Sequence, residues 1–387
     1  MKRSSVLIAV FLGVIVLDVV RCEPEPVLAQ SSSRSTTQQG RPLTPAGDLV
    51  SDAATGKPAV GAMPMGFLRS PDDTGPDGSG RYLIAVNSGY GIQFDAATNP
   101  GQQSLAIIDL TAQPSPQVIQ NVYFPSPQSA QVGAVFDPIA REGRYTLYVS
   151  GGVENKIWMF QFRPGQVLPV TPPSDGRGTT VTAPSISVAG FSNAAPTPRY
   201  HRNTEPVYPL GLALSDDANT LFLANNLSDN LGIVRDVAGS RRLARVDLHG
   251  ENPKELPYPY GVLYRPGSPA KVYVSCWGTG TVVVVGPERA QVVSRIPVDR
   301  HPTEMIASSK GTRLYVINSN ADTVSVIDTD RDVEMERIHV GLADEDTVGA
   351  SPEGLALSND EATLYVANAH SNAVAVVSLS PDCLLYT

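Results

Sequence analysis

The sequence has few of the residues on which disulfide-rich proteins and redox enzymes depend. Its 387 residues include 3 cysteines and 2 tryptophans, and aromatic residues make up 6% of the chain. There is no Cys-x-x-Cys-His sequence for covalent haem, and two tryptophans are too few for the docking motifs of a quinoprotein propeller. A Gly-x-Ser-x-Gly elbow and a Walker loop are also missing. We therefore expect no cofactor.

Basic residues are outnumbered by acidic ones. The chain has 29 Lys and Arg against 38 Asp and Glu, a formal net charge of -9. A surface with this balance repels phosphate backbones. The composition therefore argues against nucleic acid as a partner.

The N-terminus carries an apolar run that is too short to span a bilayer comfortably. The run from Val6 to Leu17 follows Lys2 and Arg3, and the small residues Val27 to Ala29 precede Gln30. This is the pattern of a secretory signal. We predict that residues 1–29 are a signal peptide, that no membrane span remains after cleavage, and that the protein is extracytoplasmic, either periplasmic or secreted.

The cysteines give two further indications about the exported protein. Cys22 follows Arg21, whereas a lipoprotein signal needs a small residue there, so lipid attachment is not expected. After cleavage Cys276 and Cys383 remain, which is too few for a disulfide framework. Stability is therefore expected to come from packed sheets.

A six-fold repeat fills most of the chain. Each copy starts with Pro-x-Gly or a variant of it and ends in a strand of the type Leu-Tyr-Val-x-Asn; the copies open at Pro64, Ala130, Pro209, Pro259, Pro302 and Pro352. Their spacing is that of propeller blades with loop insertions. In each copy, short apolar runs alternate with turn residues as four strands, named A to D from the inside outwards. The predicted fold is all-β: a β-propeller of four-stranded blades, with six blades readable and seven still open.

Alignment of the B strands gives two columns with different roles. The first column is large and apolar and is expected to wedge between neighbouring blades: Ile84, Tyr148, Phe222, Tyr273, Tyr315 and Tyr365. Three residues later, Asn recurs and is expected to cap the BC turn through its own backbone. Cys276 lies in this Asn column, so a nucleophilic role for it is not expected.

The ends of the repeat set the predicted domain boundaries. Residues 30–40 are polar and low in complexity, and we predict a disordered leader there. Residues 41–387 form a single propeller domain, which we expect to be truncated at the C-terminus because blade six has no D strand. The segment Arg41 to Val60 precedes the first A strand and is predicted to supply the closing strand.

The repeat resembles the YVTN-type β-propeller repeat of YncE-like proteins. The clearest stretches are GTRLYVINSNADTVSVIDT and EATLYVANAHSNAVAVVSL. The segments RPLTPAGDLV, NSGYG and QQSLAIIDL are similar to the N-terminal propeller of bacterial proteins that join such a propeller to an alkaline-phosphatase-family phosphoesterase domain. The resemblance implies an accessory domain for a phosphoesterase whose catalytic domain is absent from this chain.

Candidate site residues are sought where the DA and BC loops meet, at the mouth of the propeller channel. We predict a ligand-binding mouth formed by His301, Glu304, His370 and Trp277, with no catalytic residue and no metal ligand assigned. Glu304 occupies a position that is Gly in four other blades and could direct a carboxylate towards the channel. The favoured interpretation of His301 and Glu304 is nevertheless that they are solvated loop residues.

Two functions from different classes remain open at this point. The first is an exported, non-catalytic binding or scaffold module whose partner is a protein, a glycan or a small molecule on the loop face. The alternative is a lactonase-like metal-dependent hydrolase with its site at the channel mouth, where Glu304 with His301 or His370 would hold the metal. Fold alone does not decide between them.

Overall fold

The computed structural model describes the repeat region and part of its loops. The described residues are 64–72, 75, 80–88, 103–113, 116–124, 128–168, 181–192, 206–252, 254–341 and 349–379. The predicted signal peptide, the polar leader, the closing segment Arg41 to Val60 and the last eight residues lie outside them.

The described residues form six antiparallel sheets, arranged as the blades of a β-propeller, which confirms the predicted fold class. Blade one contains β1 to β4 (Pro64–Arg69, Tyr82–Asn87, Ser104–Asp109, Gln117–Tyr123). Blade two contains β5 to β9 (Ala134–Phe136, Tyr145–Ser150, Lys156–Arg163, Gln166–Leu168, Ser185–Ser187). Blade three contains β10 to β13 (Pro209–Leu214, Thr220–Asn225, Asn230–Arg235, Arg242–Asp247).

The second half of the ring is more regular. Blade four contains β14 to β17 (Pro259–Arg265, Lys271–Cys276, Thr281–Gly286, Gln291–Pro297). Blade five contains β18 to β21 (Pro302–Ala307, Arg313–Asn318, Thr323–Asp328, Val333–His339). Blade six is described in three strands, β22 to β24 (Pro352–Leu357, Thr363–Asn368, Ala373–Ser378). Two short 3-10 turns, Gly152–Glu154 and Ala189–Phe191, are the helical elements of the described chain.

Each inner strand contacts the inner strand of the next blade, and β22 contacts β1. The inner strands therefore form a ring around a central channel. In blade two the outer position is shared by β8 and β9, because both pair with β7 at different residues. In the described residues, no helix is long and apolar enough to cross a membrane.

The apolar core lies between blades. Five clusters of buried apolar residues each join two consecutive blades. Together they fill the interfaces from that between blades one and two to that between blades five and six. Strands B and C are rich in β-branched and aromatic residues, which pack well on a pleated surface. Along the wedge column, Ile84, Tyr148, Phe222, Tyr273 and Tyr315 are at most 2% exposed, as predicted.

Tyr365 is the exception, and the prediction for it was wrong. Its side chain is 40% exposed, and Val374 and Val376 on the neighbouring strand are 58% and 44% exposed. The described part of blade one meets blade six mainly through β1 and β22. As a result, no described blade packs over this face of blade six, and the wedge position stays open.

The Asn column has a different role from the predicted one. In blades three and five its side chains bond across to strand C rather than to their own backbone: Asn225 Nδ2 donates to Asn230 Oδ1 at 2.8 Å, and Asn318 Nδ2 donates to Thr323 Oγ1 at 3.1 Å. In blade six, Asn368 Nδ2 donates instead to Val340 O, just after β21, at 2.6 Å. Cys276, in the same column, is a buried free thiol, and burial raises its pKa to about 12. A thiol held neutral in this way is a poor nucleophile.

Candidate functional site

The face formed by the DA connections and BC turns is built by a repeated backbone arrangement. The residue before the inner-strand proline has a positive φ in four blades: Tyr208 (53°), Tyr258 (48°), His301 (59°) and Ser351 (50°). Its carbonyl accepts a hydrogen bond from the residue after the Asn column, as from Ser319 N to His301 O at 3.0 Å. Such backbone conformations are uncommon for residues other than glycine, so this junction is held in a fixed shape.

A side chain from each BC turn normally ties this junction to the preceding blade. Asn155 Oδ1 accepts from Tyr208 N at 3.0 Å, and Asp229 Oδ1 accepts from Tyr258 N at 3.1 Å. Asp322 accepts three backbone N–H groups of residues 349–351. Burial opposes ionisation of Asp322, but these three hydrogen bonds outweigh it, and its pKa is lowered.

The junction between blades four and five departs from this arrangement. The position of Asn155, Asp229 and Asp322 is taken there by Gly280, which has φ 61° and no side chain to make the tie. The equivalence is clear because Gly280 O accepts from Val298 N at 2.9 Å, as Asp322 O accepts from Val340 N at 2.8 Å. Departures from a repeat's own rules tend to mark functional positions.

His301 and Trp277 form a stack at this junction. Their ring centroids are 3.8 Å apart with an angle of 7° between the planes. Tyr258 meets the indole edge-on, with centroids 6.1 Å apart and an interplanar angle of 88°. The structure thus brings together two of the four predicted binding residues.

Glu304 occupies a position at which several other inner strands need glycine, although at Gly354 of blade six an added Cβ would meet nothing closer than 3.7 Å. An added Cβ would lie 2.6 Å from Val132 O at Gly66, 2.5 Å from Tyr260 O at Gly211 and 2.6 Å from Thr303 O at Gly261. These distances are too short for a side chain, so the glycine allows adjacent inner strands to approach. At Glu304 the side chain instead extends to β22, where Leu355 N donates to Oε2 at 3.0 Å.

The surroundings of Glu304 change its acidity. Burial raises the pKa of Glu304 to about 7; the Leu355 N–H opposes this change, and the nearby charge of Glu353 adds to it. Glu353 lies on the next inner strand, and burial raises its pKa as well. Two carboxyl groups therefore share a poorly solvated region of the channel.

Tyr260 and His370 complete the group. Burial, followed by the charges of Glu353 and Glu304, raises the pKa of Tyr260, so its phenol stays protonated. Tyr260, Glu304 and Glu353 come from the inner strands of blades four, five and six and lie near enough for the two carboxyl charges to affect the pKa of Tyr260. His370, in the BC turn of blade six, is exposed, and its charge opposes the rise in the pKa of Glu353.

The predicted residues thus fall into two neighbouring groups on the predicted face. Trp277 and His301 form the stack, whereas Glu304 lies beside Glu353, which His370 influences. The interpretation of Glu304 as a solvated loop residue was wrong, because it lies within β18 and is largely enclosed by the inner strands. Sequence reasoning did not select Tyr260 or Glu353, although both occupy the variable position of a Pro-x-Gly opening.

No three His, Cys, Asp or Glu side chains of the described residues are grouped so that they could hold a metal ion. The set considered from sequence, Glu304 with His301 or His370, is therefore not assembled as a metal centre in the described part of the chain. The chemistry proposed below is derived from the chain's own groups.

A concavity in blade four lies away from these residues. It has a volume of about 240 Å³ and lies between the AB and CD turns of blade four, on the opposite face, lined by Pro269, Pro287, Val293 and their neighbours. Its lining includes none of the buried carboxyl groups or stacked rings described above.

Comparison with solved structures supports the fold. A putative 6-phosphogluconolactonase from Bacteroides uniformis aligns with a TM-score of 0.57 and 13% identity over 84% of each chain. The periplasmic gluconolactonase of Pseudomonas aeruginosa aligns with a TM-score of 0.58 and 17% identity over 83% of this chain and 82% of that one. A putative 6-phosphogluconolactonase from Bacteroides fragilis gives 0.58 and 11% over 85% of each.

At these identities the likeness concerns the β-propeller fold and does not extend to a shared site. No protein-family model and no curated protein matches the sequence significantly.

Proposed function

We propose that the channel mouth hydrolyses a small lactone, with Glu304 as the general base. The observation that carries the proposal is a carboxyl group placed where the repeat otherwise has glycine, with its pKa raised by burial to about 7. A group that titrates near the working pH can accept a proton and return it within one catalytic cycle.

Two of the inner-strand side chains, Glu304 and Tyr260, suit the steps of this reaction. Ionised Glu304 would take a proton from water as the water oxygen bonds to the lactone carbonyl carbon. The resulting oxyanion would accept a hydrogen bond from Tyr260, whose raised pKa keeps the donor proton in place. The ring C–O bond then breaks, and Glu304 returns the proton to the leaving oxygen. The product is one hydroxy acid, and Glu304 is ionised again.

Glu353 tunes this reaction without taking part in bond breaking. Its charge contributes to the raised pKa of Glu304, so it helps to keep the base near its titration point. Ser351 Oγ donates to Glu353 Oε1 at 3.2 Å and orients that carboxyl group. The named activities of the three structural neighbours support the choice of a lactone over other carbonyl compounds.

The test is hydrolysis of a lactone panel by the purified protein. Acid release from glucono-δ-lactone, δ-valerolactone and γ-butyrolactone would be followed at about pH 8, where Glu304 is ionised. We expect a saturable rate above the spontaneous one for at least one member. Rates equal to the protein-free blank for every lactone would overturn the proposal.

A non-catalytic binding module is the second candidate, and the hydrogen bond from Leu355 N to Glu304 favours it. This bond gives the carboxylate a structural partner, so the mouth could hold a ligand without reacting with it. This second candidate includes three further features: the YncE-like repeat, the association with a phosphoesterase domain, and export directed by residues 1–29. Saturable binding of a ligand at the mouth, combined with inactivity towards all lactones, would favour this candidate.

A further inference from the structure

Trp277 is exposed in a way that the rest of the chain does not explain. Its side chain is 37% exposed, whereas Trp158 is 2% exposed and donates its indole N–H to Ser129 O at 2.9 Å. Trp combines an apolar body with a polar tip and is enriched where proteins contact ligands and partners. Trp277 therefore needs an explanation that blade packing does not supply.

The backbone around Trp277 is fixed on both sides. Trp277 N donates to Tyr258 O at 3.1 Å, and Gly278 N donates to Pro257 O at 2.8 Å. An added Cβ on Gly278 would lie 2.1 Å from Leu256 O, so glycine is needed for this close approach. The indole is consequently presented by a rigid turn, which limits the entropy lost when a ligand binds.

His301 supports one face of the indole at the cost of an unsatisfied polar atom. Its Nδ1 is buried, and no described residue forms a hydrogen bond with it. Leaving a buried polar atom unpaired is unfavourable. Packing against Trp277, rather than hydrogen bonding, therefore determines where the His301 ring lies.

In the described part of the chain, the connection beside this stack is short. Four residues connect Pro297 at the end of β17 to Pro302 at the start of β18. The corresponding connections have eleven residues before β14 (248–258) and twelve before β22 (340–351). Polar groups border the opening, including exposed Arg300 and the Asp299 carboxylate, which accepts from Arg337 Nη1 at 3.2 Å.

We propose that Trp277, backed by His301, is a stacking subsite for the hydroxylated ring of a carbohydrate-derived lactone. This inference rests on the proposed lactone hydrolysis and names its substrate class. A sugar ring has C–H groups on its faces and hydroxyl groups around its edge, which match an aromatic face bordered by charged side chains. The carbons of these C–H groups also carry oxygen. The C–H groups are therefore more polarised than those of an unsubstituted lactone and bind an aromatic face more strongly.

The kinetic test compares Trp277→Ala with Trp277→Phe. For glucono-δ-lactone, we expect Trp277→Ala to raise KM about tenfold while kcat stays within about threefold, and Trp277→Phe to restore most of the affinity. For δ-valerolactone, the increase in KM should be several-fold smaller. Equal increases for both lactones, or an unchanged KM for glucono-δ-lactone, would overturn the inference.

A binding test separates this inference from the proposed hydrolysis. Emission from the exposed Trp277 would be followed during titration with 1,5-anhydroglucitol, which keeps the hydroxylated six-membered ring but has no lactone carbonyl to hydrolyse; Trp158 is buried and provides a constant background. We expect a saturable change in emission that is absent from Trp277→Ala. If the protein shows this saturable change but hydrolyses none of the lactones, the stacking subsite is supported and the proposed hydrolysis is wrong. The absence of any saturable change would overturn the subsite.

Tyr365→Ala is the matched control, because it removes another exposed aromatic side chain from a different blade face. It should leave the binding of 1,5-anhydroglucitol unchanged. A loss of binding in Tyr365→Ala equal to that in Trp277→Ala would show a general effect on the propeller and would count against the subsite.

Discussion

Replacing Glu304 by glutamine should lower kcat for the best lactone by about 10²- to 10⁴-fold, the usual contribution of a general base. Glutamine keeps the size of the side chain and an oxygen that can accept from Leu355 N, but it cannot take a proton from water. In the wild-type protein, kcat/KM should fall below pH 7 as Glu304 becomes protonated, because its pKa is about 7. The measurement is the pH–rate profile of both proteins at saturating and limiting substrate.

The same variant has a second readout that does not depend on activity. Burial raises the pKa of Glu304 from 4.5 to about 7, so the carboxyl group stabilises the fold below about pH 4.5 relative to higher pH, and this stability is lost as the pH rises through 7. Glu304→Gln should therefore be more stable than the wild type at about pH 8, by up to about 3 kcal/mol, and similar to it at about pH 4. If Glu304→Gln shows this shift in stability but still hydrolyses the lactone at the wild-type rate, Glu304 is not the base.

Replacing Tyr315 by alanine should destabilise the protein by about 3 to 5 kcal/mol, the usual effect of truncating a large buried aromatic side chain. Tyr315 is 2% exposed and packs with Val324, Val326 and Leu364 between blades five and six. The measurement is the free energy of unfolding from denaturant titration.

Tyr365→Ala is the control, because Tyr365 holds the same column position in the next blade and is 40% exposed. It should cost less than about 1 kcal/mol, since surface substitutions usually have small effects. Equal destabilisation by the two substitutions would mean that the face of blade six is covered in solution.

The strands of the propeller could be predicted because each blade is specified locally. In blade five, the copy that opens at Pro302 begins with β18 (Pro302–Ala307), and its Leu-Tyr-Val-x-Asn segment forms β19 (Arg313–Asn318). Alternating apolar residues and turn signals act over a few positions, so they can be seen in the sequence. The bulge of β18 between Pro302 and Met305, where pairing with β19 is irregular, has no such local signal.

The exposure of Tyr365 could not be predicted, because it depends on a neighbour far away in sequence. Its own strand has the same pattern as that of Tyr315, and only the packing of blade one against blade six separates them. A repeat predicts which side chains of one blade pack against the next blade. How the last blade packs against the first depends on the geometry of the whole ring.

Only part of the candidate site could be predicted from the sequence, for a similar reason. Glu304 stands out in sequence because it breaks a glycine position of the repeat. Tyr260 and Glu353 do not stand out, since each is a variable residue of a regular opening and they are far apart along the chain. The curvature of the ring brings them near Glu304, and the sequence carries no local signal for that curvature.

The proposed base must be an enclosed carboxyl group at the channel mouth that titrates near neutral pH. A ¹³C NMR titration of the labelled Glu304 carboxyl, assigned by its absence in Glu304→Gln, measures its pKa directly. We expect a pKa of about 7, and a lower value for the same signal in Glu353→Gln, since the Glu353 charge contributes to the rise. A pKa near the ordinary value of 4.5 in the wild-type protein would show that the carboxyl group is solvated and that Glu304 is not the base.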